Sequence, residues 1–182
     1  MSHEGGLSGR FYSVTKSMQN ELNRTEEPPA TRILLMDRVI SKRIELKAAP
    51  SKVWEALTDY TQFGQWFGVK LTGPFVPGET TRGKITHTGY EHVTFEVVVQ
   101  KMEHEHMFSF TWHPYAVAPN RDYSHEPPTR VEFTLQKTAT GTLLTVMESG
   151  FENIPPHRRD EAFRMNERGW TEQMKNIQTY VA

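Results

Sequence analysis

The last stretch of the chain, residues 155–182, limits what the rest can be. Its apolar residues Phe163, Trp170, Met174, Ile177 and Val181 fall at steps of seven, four, three and four. That spacing is one face of a helix and not of a strand. Pro155 and Pro156 suit a first turn, where their missing donors cost nothing, and Asp160 and Glu161 complement the positive helix N-terminus. At ~1.5 Å per residue the helix is about 40 Å long, enough to cross a small domain. A helix of that length with one apolar face needs an apolar surface to lie on. The earlier part of the chain must supply that surface, as a solid core or as the wall of a ligand cavity.

The segments before it alternate with period two. Residues 33–47 read as a strand, with Ile40, Ile44 and Leu46 on one side and Lys42 sharing their parity. Two short helical pieces follow, from about Pro50 to Thr58 and from about Tyr60 to Phe67; each is too short to be stable without packing. Strands are then expected at 69–71, 82–88, 93–101, 107–113, 130–137 and 142–149, with hairpin punctuation at Thr88-Gly89, Glu103 to Glu105 and Thr140-Gly141. Residues 114–129 carry four prolines and no periodicity, a connection long enough to be a lid. Strand, two short helices, antiparallel meander and long helix make an α+β, two-layer arrangement, a curled sheet closed by one helix. Residues 1–32 are polar, and a loosely held extension is expected there; Phe11, Val14, Met18 and Leu22 at helical spacing allow a packing arm instead. The folded domain is expected over 33–182.

Composition removes several function classes. There are no cysteines among the 182 residues, which excludes disulfides, thiolate metal sites and thiol nucleophiles. The formal net charge is −1 and no long block of like charge occurs, so neither nucleic acid nor an anionic membrane is expected as a partner. No stretch has the apolar length of a membrane span or a secretion signal, and a cytoplasmic location is expected. No glycine-rich dinucleotide fingerprint, nucleophile elbow or metalloprotease motif is present, so no cofactor, metal or catalytic residue is expected.

Several words of the sequence carry a resemblance. They are Arg43 to Leu46 with Ala49 to Asp59, Phe63 to Phe67, Phe108 to Trp112, Gly141 to Phe151, and Asn166 to Trp170. Together they resemble the helix-grip fold of the SRPBCC superfamily (START and birch-pollen-allergen-like proteins). Within it they resemble the branch homologous to the C-terminal domain of the activator of heat shock protein 90 ATPase. The resemblance runs from about Arg38 to Val181. It implies a domain that binds a small hydrophobic molecule or serves a chaperone; some bacterial members carry polyketide-cyclase labels.

The candidate pocket is placed between the sheet and the last helix. Its apolar wall is expected from Trp66, Phe95, Phe110, Trp112, Phe133, Phe163, Trp170 and Met174, although each alone reads equally as core. Glu148 shares the strand face of Leu144 and Val146. It is expected either solvated at a frayed strand end, the preferred reading, or buried with a raised pKa. Lys42 has inward parity on the first strand and, if the first strand pairs with the last, is a candidate neighbour of Glu148. His87 alternates with Ile85 and is a candidate for the same interior. His104 and His106 share a charged turn without a third ligand, and His157, Arg158 and Arg159 are expected on a solvated face.

Three functions follow. The first is a pocket protein for a small hydrophobic ligand, with Glu148, Lys42 and His87 setting polarity and 114–129 as gate. The second is a module acting on the ATPase cycle of a heat shock protein 90 homologue. The third is a cyclase or hydrolase using Glu148 or His87 as acid or base. A monomer and a homodimer are both compatible with the sequence.

Overall fold

Alternating burial organises the chain into one sheet. The structure, a computed structural model, describes residues 38–182, so the readings made on 1–37 lie outside the described residues. Strands β1 (Ile40–Leu46), β2 (Val69–Leu71), β3 (Thr80–Ile85), β4 (Thr94–Glu103), β5 (Met107–Trp112), β6 (Thr129–Lys137) and β7 (Thr142–Ser149) form a seven-stranded antiparallel sheet in the order β1-β7-β6-β5-β4-β3-β2. Helices α1 (Pro50–Thr58) and α2 (Tyr60–Phe67) sit between β1 and β2. A 3-10 turn (Phe151–Asn153) leads into α3 (Pro156–Val181). The long helix crosses the concave face, which is the helix-grip architecture.

The inward positions explain why this order closes. On β5 and β6, Phe108, Phe110, Val131, Phe133 and Leu135 are buried, and on β7 Leu144 and Val146. The helix answers with Ala162, Trp170, Met174, Ile177 and Val181. Phe133 meets Trp170 edge to face at 5.6 Å between centroids, so sheet and helix interlock at the middle of the core. At the far edge Phe63 packs within 4.9 Å of Trp66, 4.8 Å of Phe67 and 5.2 Å of Phe75, sealing α2 against the β2 side.

Local chemistry sets the element ends. The Asp59 carboxylate accepts from the backbone N–H of Thr61 and Gln62, capping α2 where α1 has just ended. Gly68 closes α2 in the left-handed conformation (φ 83°), and its N–H returns to Gly64 O. The expected strand at 82–88 begins and ends earlier, at 80–85. A turn in which Tyr90 N–H bonds His87 O takes over beyond it. Register shifts between Val99 and Lys101 on β4, a bulge that increases local twist and helps the sheet curl.

β1 pairs with β7, as the sequence suggested, but the register separates Lys42 from Glu148. Ile40 lies opposite Glu148, and Lys42 lies opposite Val146. At the sheet's edge the Lys42 stem can run along the core while its ammonium bonds Glu167 on α3 at 3.1 Å. Lys42 therefore does not neutralise Glu148, which corrects the expected pairing.

Candidate functional site

The chemistry-bearing centre of the described residues is a carboxylate that none of their cations pairs with. Glu148, the last inward position of β7, is fully buried. Its Oε1 accepts from Trp112 Nε1 at 2.7 Å, from Thr129 Oγ1 at 2.6 Å and from Asn166 Nδ2 at 3.0 Å. Its Oε2 accepts from Trp170 Nε1 at 2.6 Å and from Asn166 Nδ2 at 3.1 Å. The expectation of a solvated, frayed strand end is thereby corrected. Register explains the burial: Glu148 faces Val131, with Thr129 two residues along β6 on the same side and Trp112 opposite Thr129 on β5. Helix α3 lowers Asn166 and Trp170, one turn apart, onto the same spot. Burial raises the Glu148 pKa above the ordinary carboxylate range, and the donors from Thr129, Trp112, Trp170 and Asn166 hold it back in that order.

This network stands directly behind an open cleft of about 1250 Å³. The cleft lies at the end of the sheet, between the β3–β4 turn and the long β5–β6 connection, with Phe67, Phe95 and Trp112 in its wall and Asn166 as its contact on α3. Tyr90, Tyr115 and Tyr123 add aromatic surface from the two loops. The space under the middle of α3, where the pocket was expected, is filled by core. What remains there is about 90 Å³ bordered by Phe67, Trp112, Asn166, Trp170 and Gln173. The correction has a physical cause. Phe67, Phe95, Phe110, Trp112, Phe133 and Trp170 fill the expected volume with ring-to-ring contacts, and the larger cleft opens where loops replace strands.

The β5–β6 connection is held as a wall by buried charge. Arg158, in the first turn of α3, donates from Nε to Glu126 at 2.6 Å and from Nη1 to Pro114 O at 2.9 Å. Its guanidinium carbon lies 4.8 Å from the Tyr123 ring centroid. Arg121 reaches the same Glu126 at 2.9 Å, and His113 donates from Nε2 to Glu126 O at 3.0 Å. Across the mouth, His92 donates from Nε2 to Val117 O at 2.9 Å, joining the two loops. Arg158 is buried, so its expected place on a solvated face is corrected; its charge is paired with Glu126 of the loop, while its Nη2 is buried without a hydrogen-bond partner.

Residues 47–182 match the family model described as Activator of Hsp90 ATPase homolog 1-like protein. The chain belongs to this family. Among curated proteins, none matches the sequence. Solved structures share the fold of this family member. Protein MLL2253 from Mesorhizobium loti is 22% identical with a TM-score of 0.62, covering 78% of this chain and 95% of its own. DynU16, from the dynemicin biosynthetic locus, is 26% identical with a TM-score of 0.61 over 79% of this chain; the match spans 47% of DynU16. The Aha1 dimer from Colwellia psychrerythraea is 20% identical with a TM-score of 0.59, covering 79% of this chain and 95% of its own.

In this Activator of Hsp90 ATPase homolog 1-like domain, Phe95, Trp112 and His87 of the expected set border the cleft. His87 is exposed at its mouth, against Gly68, and not interior. Trp170 borders only the small space and, like Trp112, spends its N–H on Glu148. Trp66, Phe110, Phe133 and Met174 are core: Trp66 donates to Ala56 O at 2.7 Å, tying α2 to α1. Phe163 packs at 5.1 Å on Phe151 beside the 3-10 turn, away from the cleft. Asn166, Thr129 and the Arg158–Glu126 pair were missed. A ladder at steps of four, Arg158, Ala162, Asn166, Trp170 and Met174, marks the helix stripe and would have exposed two of them. Among the described residues no group of three or more metal-ligating side chains forms, and no helix is long and apolar enough to cross a membrane.

Proposed function

We propose that this domain binds a small, largely aromatic molecule in the cleft between the β3–β4 turn and the β5–β6 connection. The observation that supports the reading is the cleft: about 1250 Å³, open at one side and walled by Phe67, Phe95 and Trp112. Ligand sites are typically concave, mainly apolar and equipped with a few fixed polar groups, and run to about 1,000 Å³. The polar groups here are fixed inward, because Trp112, His92 and His113 all spend a ring N–H on the protein itself. The acid-base alternative gains nothing from Glu148, whose two oxygens are both occupied by donors. A panel of one- to three-ring aromatic compounds should raise the melting temperature, and Ala116→Trp, which fills the cleft from its loop wall, should abolish the rise. Absence of any shift in the unsubstituted protein would remove the reading.

A second reading is action on the ATPase cycle of a heat shock protein 90 homologue. The family description favours it, and the comparisons back it more directly than they back ligand binding, which rests on the geometry. The likeness to Aha1 supports it through the fold alone. Steady-state ATPase rates of a heat shock protein 90 homologue, with and without this protein, decide it: unchanged rates speak against it whatever the cleft binds.

A further inference from the structure

The Asn166 amide is a side-chain dipole at the cleft whose orientation the interior dictates. Both oxygens of Glu148 take a hydrogen bond from Asn166 Nδ2, at 3.0 and 3.1 Å. Each of those oxygens already accepts from an indole N–H, Oε1 from Trp112 and Oε2 from Trp170, so both face the amide as acceptors; the amide nitrogen is turned to them and the amide oxygen away. Asn166 Oδ1 has no hydrogen-bond partner among the described residues, and it is not among the sealed, unpartnered atoms there. Asn166 also borders the cleft floor beside Trp112 and Phe67. The indole N–H of Trp112 is already spent on Glu148, so that ring presents only its apolar surface. The floor is thus a flat aromatic wall with one fixed acceptor.

We infer that Asn166 sets the specificity of this cleft, its Oδ1 accepting a hydrogen bond from a hydroxyl or N–H group carried on a planar aromatic ligand. The inference rests on the ligand binding proposed above and adds to it the polarity of the ligand. Glu148 is the positioning residue: it touches no ligand and selects which end of the amide the ligand meets. A ring carrying only acceptors, such as an ether, finds no complementary group on the floor.

The test compares 2-naphthol with 2-methoxynaphthalene, which have the same ring body and differ in the donor, by titration calorimetry. The expected result is tighter binding of 2-naphthol by about three- to tenfold, the span of one net neutral hydrogen bond. In Asn166→Leu the two affinities should become equal, through a loss confined to 2-naphthol. In Glu148→Gln the new amide can donate to Asn166, letting that side chain turn round and offer Nδ2; the preference should then fall or reverse toward 2-methoxynaphthalene. A merely structural role for Glu148 would weaken both probes together and leave their ratio unchanged. Equal affinities in the unsubstituted protein, or a preference that survives Asn166→Leu, would overturn the inference while leaving ligand binding standing. Binding of neither probe would overturn both.

Discussion

Trp112 and Glu148 are 36 residues apart in the chain and share a 2.7 Å hydrogen bond, from the indole N–H to Oε1. The same indole ring stands in the wall of the cleft. One bond therefore links a fully buried carboxylate to the wall of the open cleft. The carboxylate fixes the ring plane, and the ring in turn covers the carboxylate from solvent.

Trp112→Phe separates the two roles. Phenylalanine keeps an aromatic wall but removes one of the donors on Glu148, so a stability loss of about 1–3 kcal/mol is expected from urea unfolding. Affinity for 2-methoxynaphthalene, which needs only the wall, should be retained. Trp112→Ala should lose both. If the phenylalanine variant were as stable as the parent, the bond would not be holding the carboxylate.

Glu148 also gives the domain a pH dependence of definite sign. Its folded pKa is raised by burial above the ordinary 4.5, so the folded protein holds this proton more tightly than the unfolded chain. The stabilisation is fully present below 4.5 and is lost as pH rises through the folded value. Urea midpoints should therefore fall with pH above the ordinary carboxylate range in the parent. In Glu148→Gln that component of the slope should be absent. The same slope in both proteins would place the titrating group elsewhere.

Gly68 joins helix end and cleft mouth. It ends α2 at φ 83°, and a Cβ there would come within 2.5 Å of His87 Nε2. Gly68→Ala should cost roughly 1 kcal/mol for the left-handed backbone and push His87 off its place at the mouth. A shifted His87 ring resonance together with a lowered melting temperature is the expected pair of changes. An unshifted His87 resonance would show that the helix end yields instead.

The fold was legible in the sequence because each layer carries its own period. Steps of three, four and seven in 155–182 and of two in the strands determine which faces meet. The site was less legible. Parity put Glu148 on the inner face, but only β6–β7 register and the helix docking bring Thr129, Trp112, Asn166 and Trp170 to it, and register is not a local property. Trp66 and Trp112 look alike in sequence, each a tryptophan among aromatics. They part because α2 packs on α1 while β5 ends at a loop. Arg158 escaped because its partner Glu126 lies in a connection with no periodicity to place it.

That pair supplies a further test, of whether the β5–β6 connection is a fixed wall. Arg158 and Glu126 are both largely buried, with side-chain exposures of 7% and 11%, so their attraction is little screened by salt. Removing one partner leaves the other short of a bond in a dry place, unlike an exposed pair such as Arg82 and Glu96. Arg158→Met keeps the apolar stem and removes the donors to Glu126 and to Pro114 O. Glu126 retains Arg121, so the loss should be about 1–3 kcal/mol and not the full cost of an abandoned charge. The loop should feel it first: amide exchange at Ala118 and Glu126 should quicken, since their N–H groups bond within the loop, to Tyr123. Cleavage by a protease within 114–128 should quicken in parallel, while exchange in β6 and β7 follows only the global loss. Unaltered loop exchange in this variant would mean that the His92–Val117 and His113–Glu126 bonds hold the wall without it.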